Sequence, residues 1–282
     1  MPELPEVETV RRGLMSQLPG HTVTKVRVLR DDSVGHPSAR VFAKTLVGHK
    51  FIDIQRRGKY LIVELDKGAF LAAHLRMSGR LLVADAGTAR DSHIRVRIEM
   101  SNGEELIFED MRVFGRLWYV SPEESLEQVV SGLADLGVEP LDEEFNGKYM
   151  QAAFKNKSQP IKSALLDQTI IAGIGNIYAD ESLHLAGIHP RRPAKALKLA
   201  ELERLSSRIK DVLAKAIKLR GSTLRNYTDS SGVNGGYQLK AHVYGRTGLT
   251  CHSCSTSIER IKLGGRSSHF CPFCQPAKKS AG

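Results

Sequence analysis

The chain's four cysteines form two CxxC pairs near its end: Cys251-x-x-Cys254, sixteen intervening residues, then Cys271-x-x-Cys274. Thiolates paired at this spacing can close a tetrahedral shell around Zn²⁺. Four sulfur ligands leave no open coordination position, so one structural ion is expected and no catalytic metal. The segment between the pairs, Ile258 to Phe270, reads as a hairpin. Its Arg260, Lys262, Arg266 and His269 suit a finger that faces phosphate. Cysteines clustered in this way are no disulfide framework for 282 residues, which points to a reducing compartment.

The opposite end offers a different chemistry. Removal of Met1 leaves Pro2 as a secondary amine. An α-amino group has a pKa of about 7.7–8 against about 10.4 for lysine, so more of it is unprotonated at neutral pH. Proline is more basic than that generic value, and its surroundings would have to lower it. A secondary amine that adds to an aldehyde carbon gives an iminium ion, an electron sink for elimination. Glu3 and Glu6 lie beside it as acid/base groups. The same residues also read as an extended start with solvated acids, and the segment alone leaves both readings open.

Three further clusters carry charge or bulk at turns. Arg56-Arg57-Gly58-Lys59-Tyr60 places three cations beside a glycine that leads into a strand, either to bind phosphate or as a solvated turn. Met77 follows Arg76, and Phe114 stands two residues after Arg112. Large apolar side chains beside cations can fill a vacated position in a base stack, or can simply be core. Gly173-Ile174-Gly175-Asn176 has the start of a dinucleotide fingerprint but neither the preceding strand nor the third glycine. A tight turn delivering the chain to a helix N-terminus fits better. Such a terminus can hold a phosphate oxygen, with Asn176 as N-cap.

These groups need a scaffold, and the periodicity supplies two kinds. Ile94, Val96 and Ile98 alternate with polar residues as in a half-buried strand. Similar runs are Val26–Val28, Phe51–Ile54, Tyr60–Leu65, Phe70–Leu75, Arg80–Val83, Glu105–Phe108 and Leu117–Val120. Many short strands separated by turns read as an antiparallel sandwich or barrel, preceded by a helix over Glu6–Leu18. From about residue 123 the pattern is helical. Helices are expected over Glu143–Phe154, Asn176–Ala186 and a long amphipathic stretch spanning Leu202 to Ile217. Tyr227–Gly236, rich in Ser, Gly, Asn and Asp, reads as a mobile loop.

Charge separates the same two regions. The chain carries a net +10, yet residues 1–130 are nearly balanced at +1 and residues 131–282 hold +9. A basic second half suits a polyanion, nucleic acid foremost, or a merely basic surface. No charge-free run approaches the roughly 18 residues of a membrane-spanning helix, and the N-terminus has no signal-peptide pattern.

Together these residues resemble the bacterial formamidopyrimidine-DNA glycosylase family. The similarity rests on Pro2-Glu3-Leu4-Pro5-Glu6-Val7-Glu8-Thr9, Gly58-Lys59-Tyr60-Leu61, His74-Leu75-Arg76-Met77-Ser78-Gly79, Asp110-Met111-Arg112-Val113-Phe114-Gly115, Gly173-Ile174-Gly175-Asn176-Ile177-Tyr178-Ala179 and the cysteine hairpin, in that order, from Pro2 to about Gln275. The resemblance implies an α+β chain: a catalytic antiparallel β-sandwich with an N-terminal helix (1–130), a helix–two-turn–helix region (131–235) and a four-cysteine zinc-finger hairpin (236–282). It implies excision of oxidised purines, 8-oxoguanine and formamidopyrimidines, from duplex DNA, followed by β,δ-elimination. The damaged base must first leave the stack.

By matching position, Pro2 resembles the nucleophile that attacks C1′, Glu3 a proton donor and Lys59 the β-elimination group. Arg266 resembles the δ-elimination group, and Lys59 and Arg266 also resemble phosphate ligands. His93, Arg112, Lys157 and Asn176 resemble DNA contacts. Met77, Arg112 and Phe114 resemble the triad that fills the vacated space, with Arg112 facing the orphaned cytosine. Cys251, Cys254, Cys271 and Cys274 hold the zinc. Two positions depart from the pattern: Val113, where a second arginine-like residue is expected, and Gly58, where alanine is common. The implied partner is damaged double-stranded DNA, met by a monomer in the bacterial cytosol, with no nucleotide cofactor and no membrane. Two alternatives remain at this point: an endonuclease VIII-like enzyme for oxidised pyrimidines, against which Leu4 and the Met77-Arg112-Phe114 set argue, and a non-catalytic zinc-containing DNA-binding protein, against which Pro2, Glu3 and Lys59 argue.

Overall fold

A computed structural model describes residues 1–87, 92–222 and 235–277. The segment expected to be a mobile loop lies outside the described residues over 227–234. The chain divides into two compact units, one comprising Met1–Asp135 with Arg220–Gly235, the other Leu136–Leu219 with Gly236–Gly282.

The first unit opens with helix α1 (Leu4–Met15) and continues through β1 (Val23–Val28), β2 (Val34–His36), α2 (Ala39–Leu46), β3 (Phe51–Arg57), β4 (Tyr60–Leu65), β5 (Phe70–His74), β6 (Gly79–Asp85), β7 (Ile94–Met100), β8 (Glu104–Asp110) and β9 (Arg116–Val120). Two single-turn helices follow, α3 (Leu126–Val129) and α4 (Ser131–Ala134). The strands form a four-stranded sheet in the order β1-β7-β8-β6 and a five-stranded sheet in the order β2-β9-β5-β4-β3. Alternation explains the core. Val96, Ile98, Leu106 and Phe108 from one sheet meet Leu61, Val63, Leu71 and Leu117 from the other, and Val7, Val10 and Leu14 of α1 join them. The expected strands are all present, but not every pair is antiparallel. The three-residue β2 runs parallel to β9, because it is a short edge strand on the connection into α2 and not part of a hairpin. Helix α2 has no counterpart in the sequence reading. It is short, yet it buries Phe42 and Leu46.

The second unit contains α5 (Gly147–Phe154), α6 (Ile161–Leu165), α7 (Asn176–Leu185), α8 (Leu199–Lys218) and the hairpin β10 (Glu259–Leu263) with β11 (Arg266–Phe270). Helix α8 buries Leu202, Leu205, Ile209, Val212 and Leu213, the stripe that its periodicity predicts. Helix α7 stops where expected, with Gly187 at φ +67 after the last turn. The hairpin turns through Gly264 and Gly265, both at positive φ, which a tight two-residue turn demands.

One buried ion pair anchors that hairpin to the helices. Lys162 of α6 and Asp180 of α7 are 2.7 Å apart and nearly inaccessible. Lys162 Nζ also donates to the Ser267 carbonyl (2.6 Å), while Asp180 accepts the His269 N–H (2.9 Å) and the Ser268 hydroxyl (3.1 Å). Removing one partner of such a pair strands the other charge and costs about 3–5 kcal/mol. Lys162→Met is therefore expected to lower the unfolding free energy by that amount, read as a lower urea midpoint with the m-value unchanged. An unaltered midpoint would refute the anchoring role.

Candidate active site and nucleic-acid interface

Helix α1 begins directly after Pro2 and Glu3. Glu3 is its extended N-cap, Pro5 lies in the first turn where its missing N–H costs nothing, and Glu6 is the third helical residue. The Glu6 carboxylate accepts the Glu3 N–H at 2.8 Å through Oε2 and the Ser222 N–H at 2.7 Å through Oε1. Gly221, at φ +77, leaves room for this approach, since a Cβ there would lie 2.7 Å from Glu6 Oε1. Glu6 is thus committed to holding backbone, which revises its reading as an acid/base group. Glu3 is 3% exposed and Pro2 is also buried, whereas Met1 is exposed. With Met1 attached the Pro2 nitrogen is an amide and no nucleophile, so amine chemistry at Pro2 requires cleavage of that bond.

Lys59, 7% exposed, sits in the two-residue turn between β3 and β4, whose closing pair is Arg57 and Tyr60. Its neighbour His74 is buried and accepts the Arg76 N–H through Nδ1 at 3.0 Å. Burial first, then the positive charges of Arg76 and Lys59, hold the His74 pKa down to about 3. The imidazole is therefore neutral, with its proton on Nε2. Tyr60 meets it edge-on at 4.5 Å between ring centroids.

The triad residues stand on two turns tied to one carboxylate. Asp110, fully buried, accepts the Ser78 hydroxyl and the Arg112 N–H (3.1 Å) on Oδ1, and the Gly115 N–H (2.7 Å) on Oδ2. Its own N–H donates to the His93 carbonyl at 2.9 Å. Met77, Arg112, Phe114 and His93 are thereby brought to one end of the four-stranded sheet. Met77 and Phe114 are 45% and 49% exposed, so they are not the core residues they could have been. The Arg112 guanidinium lies over the Phe114 ring, 5.1 Å from its centroid. Arg76 (φ 52) and Val113 (φ 56) are in the left-handed region. A β-branched residue there is strained and is held by its surroundings. Asp110 opens one of the motifs that carry the resemblance, but the sequence attaches no role to it; the structure makes it the carboxylate that ties the two turns together.

The remaining expected contacts belong to the second unit. Lys157 is partly exposed and 3.7 Å from Asp167, so its charge is partly answered within the protein. Asn176 is the first helical residue of α7, and the N-cap is Gly175, a correction to the sequence reading. The cap is displaced because Gln168 shapes the turn from outside, accepting the Gly173 N–H (3.0 Å) and donating to the Ile174 carbonyl (2.9 Å). Asn176 Oδ1 is buried and has no hydrogen-bond partner among the described residues. Arg266 opens β11 immediately after the glycine turn and is exposed. The segment leading to the finger is held by Glu181 of α7, whose carboxylate accepts the N–H groups of His242, Val243 and Tyr244 at 2.8–2.9 Å.

Four sulfurs converge beside that segment. The Sγ atoms of Cys251, Cys254, Cys271 and Cys274 all lie within 4.8 Å of one another, with pairs at 3.4, 3.5 and 3.9 Å. A tetrahedron with Zn–S bonds of about 2.3 Å has edges of about 3.8 Å, so the set fits one structural Zn²⁺. Hydrogen bonding from Thr256 brings the Cys254 thiol down to about 6, while burial pushes Cys271 and Cys274 up. Four thiolates so close need a divalent cation to coexist.

Three family models match the chain: the formamidopyrimidine-DNA glycosylase N-terminal domain over residues 1–117, the formamidopyrimidine-DNA glycosylase H2TH domain over 136–228, and a zinc finger found in FPG and IleRS over 248–277. A formamidopyrimidine-DNA glycosylase of Gloeobacter violaceus is 54% identical over 282 residues, covering 99% of both chains. Among solved structures, a variant of the Lactococcus lactis FPG bound to DNA containing Fapy-dG matches with a TM-score of 0.90 at 37% identity, covering 98% of this chain and all of that one. A MutM protein bound to DNA containing carbocyclic 8-oxo-G matches with a TM-score of 0.89 at 38% identity, with the same coverage.

Because folding of so small a finger is coupled to its metal, Cys254→Ser is expected to lose the zinc, unfold the hairpin and abolish duplex binding. Metal analysis by mass spectrometry and a duplex titration check this. A full complement of zinc in the variant, or none in the unaltered protein, would overturn it.

Proposed function

This chain belongs to the formamidopyrimidine-DNA glycosylase family, and we propose that it excises oxidised purines, 8-oxoguanine and formamidopyrimidines, from duplex DNA and then cleaves the strand as an AP lyase. The observation that carries the reading is the construction of the N-terminus. Pro2 and Glu3 are buried at the head of α1 and fixed there through the Glu6 carboxylate.

Once Met1 is removed, the Pro2 amine attacks C1′ of the extruded nucleotide. The base departs with the electrons of the C1′–N bond and takes up a proton. The attacking amine loses its proton, and Glu3 protonates the leaving base or O4′ as the C1′–O4′ bond breaks, which leaves the Pro2 nitrogen doubly bonded to C1′. The resulting iminium acidifies C2′–H. Lys59 serves the proton transfer as the 3′ phosphate leaves, and Arg266 serves the second elimination, which releases the 5′ phosphate. Met77, Arg112 and Phe114 fill the space left by the flipped nucleotide, with Arg112 reading the orphaned base. His93, Lys157 and Asn176 hold phosphate. Asn176 suits this at a helix start, where unpaired N–H groups and the helix dipole favour an anion. The zinc finger is structural and presents Arg266. The protein acts as a monomer in the bacterial cytosol, on chromosomal DNA, without a nucleotide cofactor.

Glu3→Gln keeps the side chain's shape but cannot pass a proton, and such transfers are worth about 10²–10⁴-fold. The variant is expected to bind 8-oxoguanine duplexes normally and to lose excision by that factor in single turnover. Wild-type excision by Glu3→Gln refutes the role. An unaltered protein that binds but is never trapped on damaged DNA by borohydride is a binder and no enzyme.

Phosphate and base contacts can be told apart by salt. Each phosphate contact contributes about −0.9 to the slope of log K against log salt. Lys157→Ala is expected to flatten that slope by up to about 1 and to weaken damaged and undamaged duplexes alike. Arg112→Ala is expected to leave the slope intact while reducing discrimination between cytosine and adenine opposite the lesion, by about 1–3 kcal/mol. An unchanged slope for the first and unchanged preference for the second would place the DNA face elsewhere.

A further inference from the structure

Gly58 and Lys59 form the two central positions of the β3–β4 turn, with Gly58 at φ +55. Glycine in that position makes the peptide unit between the two residues easy to turn over. The flip leaves the strands in register but re-aims the residue that follows, here Lys59. Some interaction must select one orientation, and the structure contains one. Arg56 donates from Nη1 to the Gly58 carbonyl at 3.0 Å. Its Nε faces Glu8 Oε2 at 3.3 Å, and both side chains are about nine-tenths buried.

Glu8 lies on α1, little more than one turn after Glu3. Its carboxylate also receives Arg11, from Nε at 3.0 Å and Nη2 at 2.9 Å, and Arg12 from Nε at 2.8 Å. Arg11 donates in turn to the Ile54 carbonyl of β3 at 3.1 Å. Burial opposes ionisation of Glu8, but the hydrogen bonds of Arg11 and Arg12 and the charges of Arg11 and Arg56 outweigh it and keep the carboxyl below its usual range. The helix that begins at the nucleophile is thus clamped to β3, and the clamp extends through Arg56 to the peptide that carries Lys59.

We propose that Arg56, oriented by Glu8, is a positioning residue for strand cleavage, holding the Gly58 carbonyl so that Lys59 is presented to the substrate in one geometry set by α1. The inference rests on the assignment of Lys59 to elimination. A misplacement of about 1 Å at a reacting group can cost on the order of 10²-fold, so the effect belongs in the rate and not in binding.

Arg56→Met is a fair test, because Glu8 keeps Arg11 and Arg12 and no buried charge is stranded. Arg56→Lys supplies a cation without the fork that reaches Glu8 and the carbonyl together. Glu8→Gln removes the charge that orients Arg56. All are assayed on duplexes with a preformed abasic site, alongside thermal melting and zinc content. Expected for Arg56→Met is a fall in the rate of strand cleavage on the order of 10–10²-fold, with affinity for undamaged duplex unchanged, partial rescue in Arg56→Lys, and no further loss when Glu8→Gln is added. Wild-type cleavage by Arg56→Met overturns the proposal. So does a loss confined to affinity with a flattened salt slope, which would make Arg56 a phosphate ligand. If Arg56→Met melts early, the smaller change Arg56→Lys decides on the same readouts. Wild-type cleavage of abasic DNA by Lys59→Ala refutes the Lys59 assignment instead, and an unaltered protein freed of Met1 that leaves abasic DNA intact refutes the AP-lyase reading on which the inference rests.

Discussion

A carboxylate withdrawn from water must be given donors, and most irregular segments of this chain that carry chemistry are fixed by meeting that demand. Glu6 satisfies it with the N–H groups of residues 3 and 222, Asp110 with those of 112 and 115, and Glu181 with three successive N–H groups before the finger. Asp180 meets it with Lys162 and the hairpin backbone. Helices and strands satisfy their own backbone; turns and chain ends do not. Each acid therefore lends rigidity where secondary structure supplies none, and a charge-assisted bond to an N–H is stronger than a neutral one.

This division explains what can be read from the sequence. Strands of the sandwich and the stripe of α8 follow from periodicities of two and 3.6, because each buries one face. The zinc site follows from spacing, because knuckle geometry is local. Glu6 is visible as an acid near Pro2, but its partner at residue 222 is more than two hundred positions away, and no local pattern announces it. Asp110 is legible as the start of a motif but not as a brace, because one of its donors, Ser78, lies on a turn more than thirty residues away. Asn176 reads as a cap and is not one, because the side chain that shapes the turn, Gln168, comes eight residues earlier and acts by imitating backbone. Helix α2 escapes notice because it is too short for periodicity to stand out.

The two units differ in the job their charges do. In the first, net charge is almost nil and the cations near the N-terminus are spent on structure: Arg11, Arg12 and Arg56 all face Glu8. In the second, the excess is large, and Lys157 and Arg266 stand partly or fully exposed. An attraction that falls off within about 10 Å in salt suits capture of a polyanion. The chemistry proposed for the buried Pro2 and Glu3 needs shape and exclusion of water, which extra surface charge would not provide. Under the proposed function, the attack on the sugar falls to the nearly neutral first part of the chain, while most of the excess charge available to a polyanion lies in the second.

His74 keeps one buried corner of the first unit from gaining a further positive charge. It stands beside Lys59 and Arg76, and as an imidazolium it would add a third positive charge to a buried corner. Burial and those two cations keep it neutral down to about pH 3, so at neutral pH it is a dipole with its proton on Nε2. Its Nδ1 is occupied by the Arg76 N–H, which also orders the turn leading to Met77. One uncharged ring thus supports the turn that carries Met77 and adds no further positive charge beside Lys59. Protonation would break that support and repel Lys59, so the depressed pKa is a condition of both.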